Sequence, residues 1–190
     1  MADSEQKMIS IRSATLADRR AVWDWIARSD LTASMMGPPN FAENPVPTWE
    51  QHCADYLPYF FDGSRPGVGR SLIIEFEGRA VGHVSYSRGD ELSGAEPGTL
   101  PGAELDIWMR DSSCCGHGWG SAALRMLCEH LHDTLGMREF IMRPSARNVR
   151  AIRSYEKAGF ERLALTDAQQ TAMYGPGEYQ DTVTMRRVIE

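Results

Sequence analysis

Two glycine-containing stretches of this 190-residue chain combine residue types that could bind an anion and donate a proton. The first, at 115–120, alternates glycine with other residues immediately before a helical pattern. Backbone N–H groups at the start of a helix lack intrahelical acceptors and carry the positive end of the helix dipole, so they suit a phosphate or diphosphate. The second places the phenol of Tyr155 one turn before Gly159, which ends a predicted helix. Together they predict a diphosphate site beside a positioned proton donor.

The spacing of the first stretch excludes two common phosphate-binding sites. No Lys-Ser or Lys-Thr pair follows the glycines, so a nucleoside-triphosphate loop is not predicted. The dinucleotide pattern G-x-G-x-x-G is also absent, and the stretch lies too late in the chain for the first βα turn of that fold. Glycines before a helix also occur in plain turns, so the stretch alone does not identify a ligand.

Hydrophobic patterns place both stretches in a mixed α/β chain. Strands are predicted over 8–13, 71–76, 80–86, 104–110, 139–142, 160–166 and 182–188. Helices are predicted after the capping-box patterns at Thr15 and Thr48, and over 118–135 and 148–157. Pro58 should end or kink the helix that follows Thr48. The tight turn at 77–79 predicts a hairpin, which excludes a purely parallel sheet.

Two long segments interrupt this pattern and could form loops beside a site. Residues 37–47 are rich in proline, and residues 88–103 are polar and rich in glycine and proline. Loops of this length in a compact domain are usually functional or disordered. Because no internal repeat or second domain is evident, the sequence predicts a flexible tail over 1–7 and one domain over 8–190.

Composition limits the class of protein and its partners. The chain has 42% hydrophobic and 24% charged residues and a net charge of −6, which argues against nucleic acid or an anionic membrane and suits a cationic substrate. Its four cysteines suggest no disulfide framework, and no apolar leader or membrane-length run is present, so we expect a cytoplasmic monomer or homodimer. The histidines are scattered, and His130 and His132 face different directions on one helix, so no metal site is predicted.

The order of three segments resembles the GNAT superfamily of acetyl-CoA-dependent N-acetyltransferases. These are the strand at 104–110, the run at 115–120, and Ser145 through Phe160. The pattern NxxAxxxYEKxGF from Asn148 to Phe160 closely resembles the aminoglycoside 6′-N-acetyltransferases of that superfamily. The resemblance extends in element order over 8–188 and in motifs over 104–160. It implies an α/β fold in which a mixed, mostly antiparallel central sheet is flanked by helices and splayed to admit acetyl-CoA.

The resemblance implies how acetyl-CoA would be held. Backbone N–H groups of the glycine run would bind the pyrophosphate, the strand before it would pair with the pantetheine arm, and two residues of the last segment would lie near the thiol. The implied contacts are Ile107, Trp108, Met109, Cys115, Gly116, His117, Gly118, Trp119, Gly120, Ser121, Asn148 and Ser154. Cys115 stands where the family usually has Gln or Arg, and His117 stands at a variable position where a basic residue is common.

The resemblance also implies two catalytic residues. Tyr155 matches the general acid that protonates the departing thiolate, and a phenol is protonated at neutral pH as this role requires. The amine must lose its proton before it attacks, and the resembled enzymes carry an Asp at the strand position of Asp106. Glu104 lies on the same strand face and is the second choice. Transfer would be direct, with no covalent enzyme intermediate.

Substrate contacts are expected from one aromatic residue and several charged ones. The expected residues are Trp49, Asp90, Glu91, Glu104 and Arg143, with Glu43, Asp55 and Glu96 as further acids. The resembled enzymes often have Asp-Pro where this chain has Arg143-Pro144. A guanidinium there would repel a polycation and could bind a carboxylate or the cofactor phosphates.

The acceptor therefore has several candidates. An aminoglycoside or similar cationic small molecule is the first, and acid-rich loops favour it. The alternatives are a protein N-terminal or lysine amine, a siderophore precursor, or no reaction at all in a non-catalytic acyl-CoA-binding module. The presence of both Asp106 and Tyr155 argues against the last alternative.

Overall fold

A computed structural model describes residues 9–38, 40–88, 102–166, 168–169 and 181–190. The strands are β1 Ile9–Ser13, β2 Gly69–Phe76, β3 Arg79–Arg88, β4 Gly102–Met109, β5 Glu139–Met142, β6 Glu161–Arg162 and β7 Met185–Val188. The α-helices are α1 Arg19–Arg28, α2 Trp49–Asp55, α3 Tyr59–Asp62, α4 Trp119–Leu135 and α5 Val149–Lys157. The predicted 1–7 tail and most of the 88–103 insert lie outside the described residues.

The strands form one mixed sheet in the order β1-β2-β3-β4-β5-β7-β6. Every neighbouring pair is antiparallel except β4 and β5, which are parallel. The long helix α4 supplies the crossover that a parallel pair requires. The predicted mixed, mostly antiparallel sheet with flanking helices is confirmed.

The sheet opens between its two parallel strands. β4 and β5 are paired at three positions, from Gly102↔Glu139 to Glu104↔Ile141. β4 then continues to Met109 alongside β3, whereas its other edge has no paired strand in the described part of the chain. Leu105 to Met109 thus present backbone donors and acceptors to the gap, as the expected splay requires.

Gly102 makes the parallel pairing possible. A methyl group on this residue would lie 2.0 Å from the carbonyl oxygen of Glu139, which is backbone and cannot rotate away. We expect Gly102→Ala to lower the free energy of unfolding by about 2 kcal/mol, measured by urea denaturation. Gly67→Ala is the matched control, since a methyl group there meets nothing within 4 Å. Equal stability of the two variants would contradict this reading of the β4–β5 junction.

Core residues fill both faces of the sheet because strand side chains alternate. On one face, Ile74 and Leu105 pack with the apolar stripes of α4 and α5. On the other face, Ile73 and Trp108 pack with residues of α1 and α3. Asp106, on the face of Trp108, therefore points toward α2 and α3 instead of into the larger core.

Most predicted elements are present with shifted bounds: β2 and β3 are longer than predicted, and β6 and β7 are shorter. Thr48 caps α2 with the full reciprocal capping box, and α2 ends before Pro58, which begins α3. The strand predicted at 160–166 is reduced to two residues, Glu161–Arg162, since only these pair with β7. Within the described residues, no helix is long and apolar enough to cross a membrane.

Candidate active site

The gap between β4 and β5 opens into a cleft of about 970 Å³. Residues 104–108 of β4 line one wall, and the β5–α5 connection lines another. The third wall comes from residues 35–47 and the C-terminal end of α2. The two catalytic residues expected from the sequence, Asp106 and Tyr155, both line this cleft.

Asp106 is held at the cleft by two hydrogen bonds. Its Oδ1 accepts a bond from the backbone N–H of Ile107 at 2.9 Å, and its Oδ2 accepts one from the Tyr56 hydroxyl at 2.9 Å. Burial, and then the charge of Asp106, raise the pKa of Tyr56 well above its usual value. The phenol therefore remains a donor across the physiological range and fixes the carboxylate while leaving it exposed to the cleft.

Tyr155 lies on the buried face of α5 and is 8% exposed. Burial, and then the negative charge of Asp106, raise the pKa of its phenol. The phenol is therefore protonated at every pH at which the protein would work. A protonated donor and a carboxylate acceptor thus share one cleft, which is the pairing that acid–base chemistry needs.

Arg143 and Glu104 form an ion pair at the cleft wall. Arg143 Nε donates to Glu104 Oε1 at 2.7 Å, and Nη2 donates to the other carboxylate oxygen. This two-point geometry commits the guanidinium to an internal carboxylate. The charge of Arg143 is thus balanced by Glu104, which weakens the expected repulsion of a polycation, and the role of Arg143 toward the acceptor stays a prediction.

A second arginine, Arg147, ties the 37–47 loop to the β5–α5 connection. Its guanidinium donates to the Asn40 carbonyl at 2.6 Å and to Asp181 at 2.6 Å, and it also pairs with Glu43. It lies 4.2 Å from the centre of the Phe41 ring. These contacts hold the loop as a wall of the cleft.

The expected anion site lies at the start of α4. Gly116 and Gly118 have φ of 84° and 80°, a left-handed conformation that glycine adopts readily. A methyl group at either position would meet open space, so a ligand can approach the backbone closely. No side chain caps this helix, and its first N–H groups have no intrahelical acceptors. The geometry fits a phosphate or diphosphate.

Several expected cofactor residues converge behind this helix start. Ser121 Oγ donates to the Ser154 carbonyl at 2.8 Å and lies 2.9 Å from its hydroxyl, which joins α4 to α5. A methyl group on Gly120 would lie 3.5 Å from Ile107 Cδ1 and 3.7 Å from both Met109 Sδ and Ser154 Oγ. The β4 edge, α4 and α5 therefore meet at one end of the cleft.

Other expected cofactor residues have local roles in the fold. Asn148 caps α5 through a 3.0 Å bond from the Ala151 N–H, and it also lines the cleft. The Trp108 indole is buried and donates to the Trp25 carbonyl at 2.9 Å. Only the backbone of Trp108 could therefore bind a ligand in the gap. Trp119 stacks on His117 with ring centres 4.5 Å apart, and Cys115 Sγ lies 3.6 Å from the Asp111 carbonyl.

The substrate contact expected of Trp49 stays a prediction, which the position of its ring does not support. Its ring packs edge-on against Trp23 at 5.8 Å, lies 4.8 Å from the Arg20 guanidinium and does not line the cleft. Trp49 is thus half-buried against α1, whereas the buried residue of α2 is His52. Asp90 and Glu91, also expected to contact substrate, lie outside the described residues.

The cleft contains functional candidates that the sequence reading missed. These candidates are Tyr56, Arg147, Asp181 and His52, which line the cleft and to which no motif named above assigns a role. Tyr56 lies one residue beyond the end of α2, and its hydrogen-bond partner Asp106 is 50 residues away in the chain. No local sequence pattern therefore links the two residues. No group of three or more metal-ligating side chains occurs among the residues that the structure describes.

Two buried histidines beside Tyr56 predict a loss of stability in acid. Burial lowers the pKa of His52 to about 4 and that of His83 to about 3. Below pH 6.5 the unfolded chain binds protons that these folded imidazoles do not, so the free energy of unfolding falls as the pH falls from 6.5 toward 4. Urea unfolding across this window should show a shallower slope for His83→Phe. Ser71→Ala, a change on the same sheet face without a titrating group, should retain the wild-type slope.

Comparison with known proteins agrees with this geometry. Residues 9–161 match the family described as the Acetyltransferase (GNAT) domain. The chain is 31% identical over 185 residues to the aminoglycoside N(6′)-acetyltransferase type 1 of Klebsiella pneumoniae, covering 96% of this chain and 85% of that protein.

Two solved structures share the fold. AAC(6′)-Ib in complex with coenzyme A has a TM-score of 0.68 at 23% identity, covering 95% of this chain and 94% of that one. The spermidine N-acetyltransferase of Vibrio cholerae in complex with CoA and spermine has a TM-score of 0.66 at 15% identity, covering 96% of each chain. The splayed sheet and the family match together establish that this chain belongs to the GNAT family and is an acetyl-CoA-dependent N-acetyltransferase.

Proposed function

We propose that the protein transfers an acetyl group from acetyl-CoA to a primary amine of an aminoglycoside or a similar cationic small molecule. The observation that carries this proposal is the Asp106 carboxylate, fixed by Tyr56 and facing a cleft that also contains Tyr155. The relative named as an aminoglycoside N(6′)-acetyltransferase supports the choice of acceptor.

The charge of the cleft suits a polycation. Five carboxylates line it, at Glu43, Asp55, Glu104, Asp106 and Asp181, against two arginines, Arg143 and Arg147. Both arginines are ion-paired with cleft carboxylates, and burial keeps His52 neutral. An excess of three negative charges remains among the described lining residues and attracts amines.

In the proposed reaction Asp106 takes a proton from the ammonium, and the neutral amine forms the new N–C bond with the acetyl carbonyl carbon. Tyr155 donates its proton to the sulfur as the C–S bond breaks, and the second proton that the nitrogen loses on becoming an amide returns through solvent to the Tyr155 phenolate. The Tyr56 hydrogen bond holds Asp106 in place, and a backbone N–H group on the free edge of β4 would donate to the carbonyl oxygen. The N–H groups at 115–121 would hold the pyrophosphate.

The cofactor placement predicts a specific effect at Gly118. Gly118→Ala strains a left-handed residue and puts a methyl group where the anion approaches, so the Kd for acetyl-CoA should rise about tenfold by calorimetry, as when one charge-assisted hydrogen bond is lost. Gly136→Ala is the control, because that glycine has φ of 66°, equally open surroundings, and lies at the other end of α4. Equal Kd values for the two variants would place the anion elsewhere.

The acceptor is tested by thiol release from acetyl-CoA with a panel of amines. We expect saturable turnover with an aminoglycoside that carries a 6′-amine and none with its 6′-hydroxyl counterpart. Spermidine and peptides with a free N-terminus or lysine serve as competing acceptors. Turnover with peptides alone would refute the proposed acceptor, and acetyl-CoA binding without any turnover would favour a binding module.

A further inference from the structure

A buried polar pocket lies behind the Tyr56–Asp106 pair, on the same face of the sheet. His83 on β3 and Ser71 on β2 are both 0% exposed, and His52 on α2 is 1% exposed. The register pairs Ser71 with Ser85 and Ile73 with His83, so Ser71 and His83 are diagonal neighbours under α2. Three polar side chains are thus buried together beneath the candidate base.

Four polar atoms of this pocket lack a hydrogen-bond partner within the described ranges. They are both ring nitrogens of His83, Nε2 of His52 and Oγ of Ser71. A neutral imidazole always has one donor and one acceptor nitrogen, so apolar packing satisfies neither. A buried polar group without a partner loses its hydration and gains no hydrogen bond in return, and four such groups together are costly against the small net stability of a domain.

Tyr56 is the side chain that separates this pocket from the reaction centre. Its ring stacks on His52 with centres 4.9 Å apart and meets the His83 ring edge-on at 5.7 Å. Ser85 is the cross-strand neighbour of Asp106 on β3, and the Tyr56 hydroxyl donates to Asp106. The position of the Tyr56 phenol therefore depends on the two imidazoles that pack against its ring.

We propose that His52, His83 and Ser71 enclose a structural water site, and that the hydrated His83 is a positioning residue that holds Tyr56 and, through it, Asp106. Buried water typically makes about three bonds to polar groups that otherwise lack partners, which matches the donors and acceptors present. His52 also lines the cleft, so water has a route into the pocket. The evidence for the water site is the set of buried polar atoms without partners. Its expected effect on the reaction rate rests on the proposed function.

The surroundings keep the imidazoles neutral, which suits a structural role. Arg19 faces His52 from α1, and each histidine lies near the other. Asp106 faces the pocket from β4, but Tyr56 stands between its carboxylate and the rings. Proton transfer through the pair is therefore not part of the proposal.

The water site can be tested without any activity measurement. A high-resolution crystal structure should show ordered water within hydrogen-bonding distance of both imidazoles. The ¹⁵N NMR shifts of His52 and His83 in the folded protein should report neutral rings with hydrogen-bonded nitrogens. Absence of density together with shifts of non-bonded nitrogens would overturn the site.

The positioning role needs a kinetic test with matched variants. His83→Phe fills the site with an apolar ring, and we expect kcat to fall about tenfold while the Kd for acetyl-CoA is unchanged, since a displaced catalytic group slows the chemical step. His83→Gln, which keeps polar atoms for water, should recover most of the rate. Val84→Ala is the control, because Val84 is equally buried on the same strand but packs on the opposite face.

Each kinetic outcome decides the positioning role. If His83→Phe and Val84→Ala lose the same fraction of kcat, or if His83→Gln recovers nothing, the role is rejected. If His83→Phe does not fold, the crystallographic and NMR results on the unaltered protein still decide the water site. Failure of the wild type on every amine would reject the proposed function and leave the water site intact.

Discussion

Asp106→Asn should lower kcat/KM for a basic amine by about 10²- to 10⁴-fold, the usual contribution of a general base. The amide has the same shape as the carboxylate and can still accept the Tyr56 hydrogen bond, so the fold and cofactor binding should be retained. What is lost is the capacity to accept the ammonium proton. Steady-state kinetics of thiol release, with circular dichroism and an acetyl-CoA binding curve for the variant, measure this effect.

Acceptors of different basicity distinguish two roles for Asp106, which could deprotonate the amine or only bind it by charge. A weakly basic amine is already unprotonated at neutral pH, so the penalty of Asp106→Asn should shrink with such an acceptor. Asp55→Asn removes another carboxylate that lines the cleft and should change KM for a polyamine much more than kcat. An equal penalty for weakly and strongly basic acceptors would show that Asp106 binds the substrate but does not deprotonate it.

Tyr155→Phe should lower kcat by about 10²-fold through loss of the general acid, with little change in the Kd for acetyl-CoA. Removing the hydroxyl leaves the ring, so its packing on the buried face of α5 is preserved. Because burial and Asp106 raise the pKa of this phenol, the wild type should show no loss of rate from Tyr155 ionisation up to about pH 10. A pH–rate profile and single-turnover kinetics measure both effects.

Tyr86→Phe is the control for loss of a buried phenol. The Tyr86 hydroxyl donates to the Pro66 carbonyl at 2.7 Å, and Tyr86 does not line the cleft. This variant should lose stability but keep kcat. If Tyr155→Phe retains kcat within twofold, the donor to the thiolate must be a water or another group.

Sequence patterns predicted those structural features that depend on residues close together in the chain. The Thr48 capping box depends on residues three apart, and Asn148 caps α5 over the same distance, so both helix starts could be read from the sequence. The glycines at 116 and 118 likewise have a backbone conformation that their own residue type favours. Asp106 and Tyr155 came from motif resemblance, and the fold places both in one cleft.

Contacts between distant segments could not be predicted in this way. Arg143 was interpreted by its charge alone, but its partner Glu104 is 39 residues away on another strand. Tyr56 and Trp49 share one helical stripe, yet only Tyr56 reaches the cleft, because periodicity defines a face and not the surface it meets. The Arg147 contacts depend on a loop more than 100 residues earlier, for which no local signal exists.

The narrow junction between β4 and β5 has a consequence for how long the folded chain survives. Three residue pairs join β1–β4 to β5–β7 within the sheet, so opening at this seam breaks few backbone hydrogen bonds and exposes strand edges to proteases. Acetyl-CoA bound along the free edge of β4 would close the seam, and a ligand at 100 times its Kd stabilises the folded state by about 2.7 kcal/mol. Cellular acetyl-CoA would then set the abundance of the enzyme as well as its rate, since degradation follows the population of the open form.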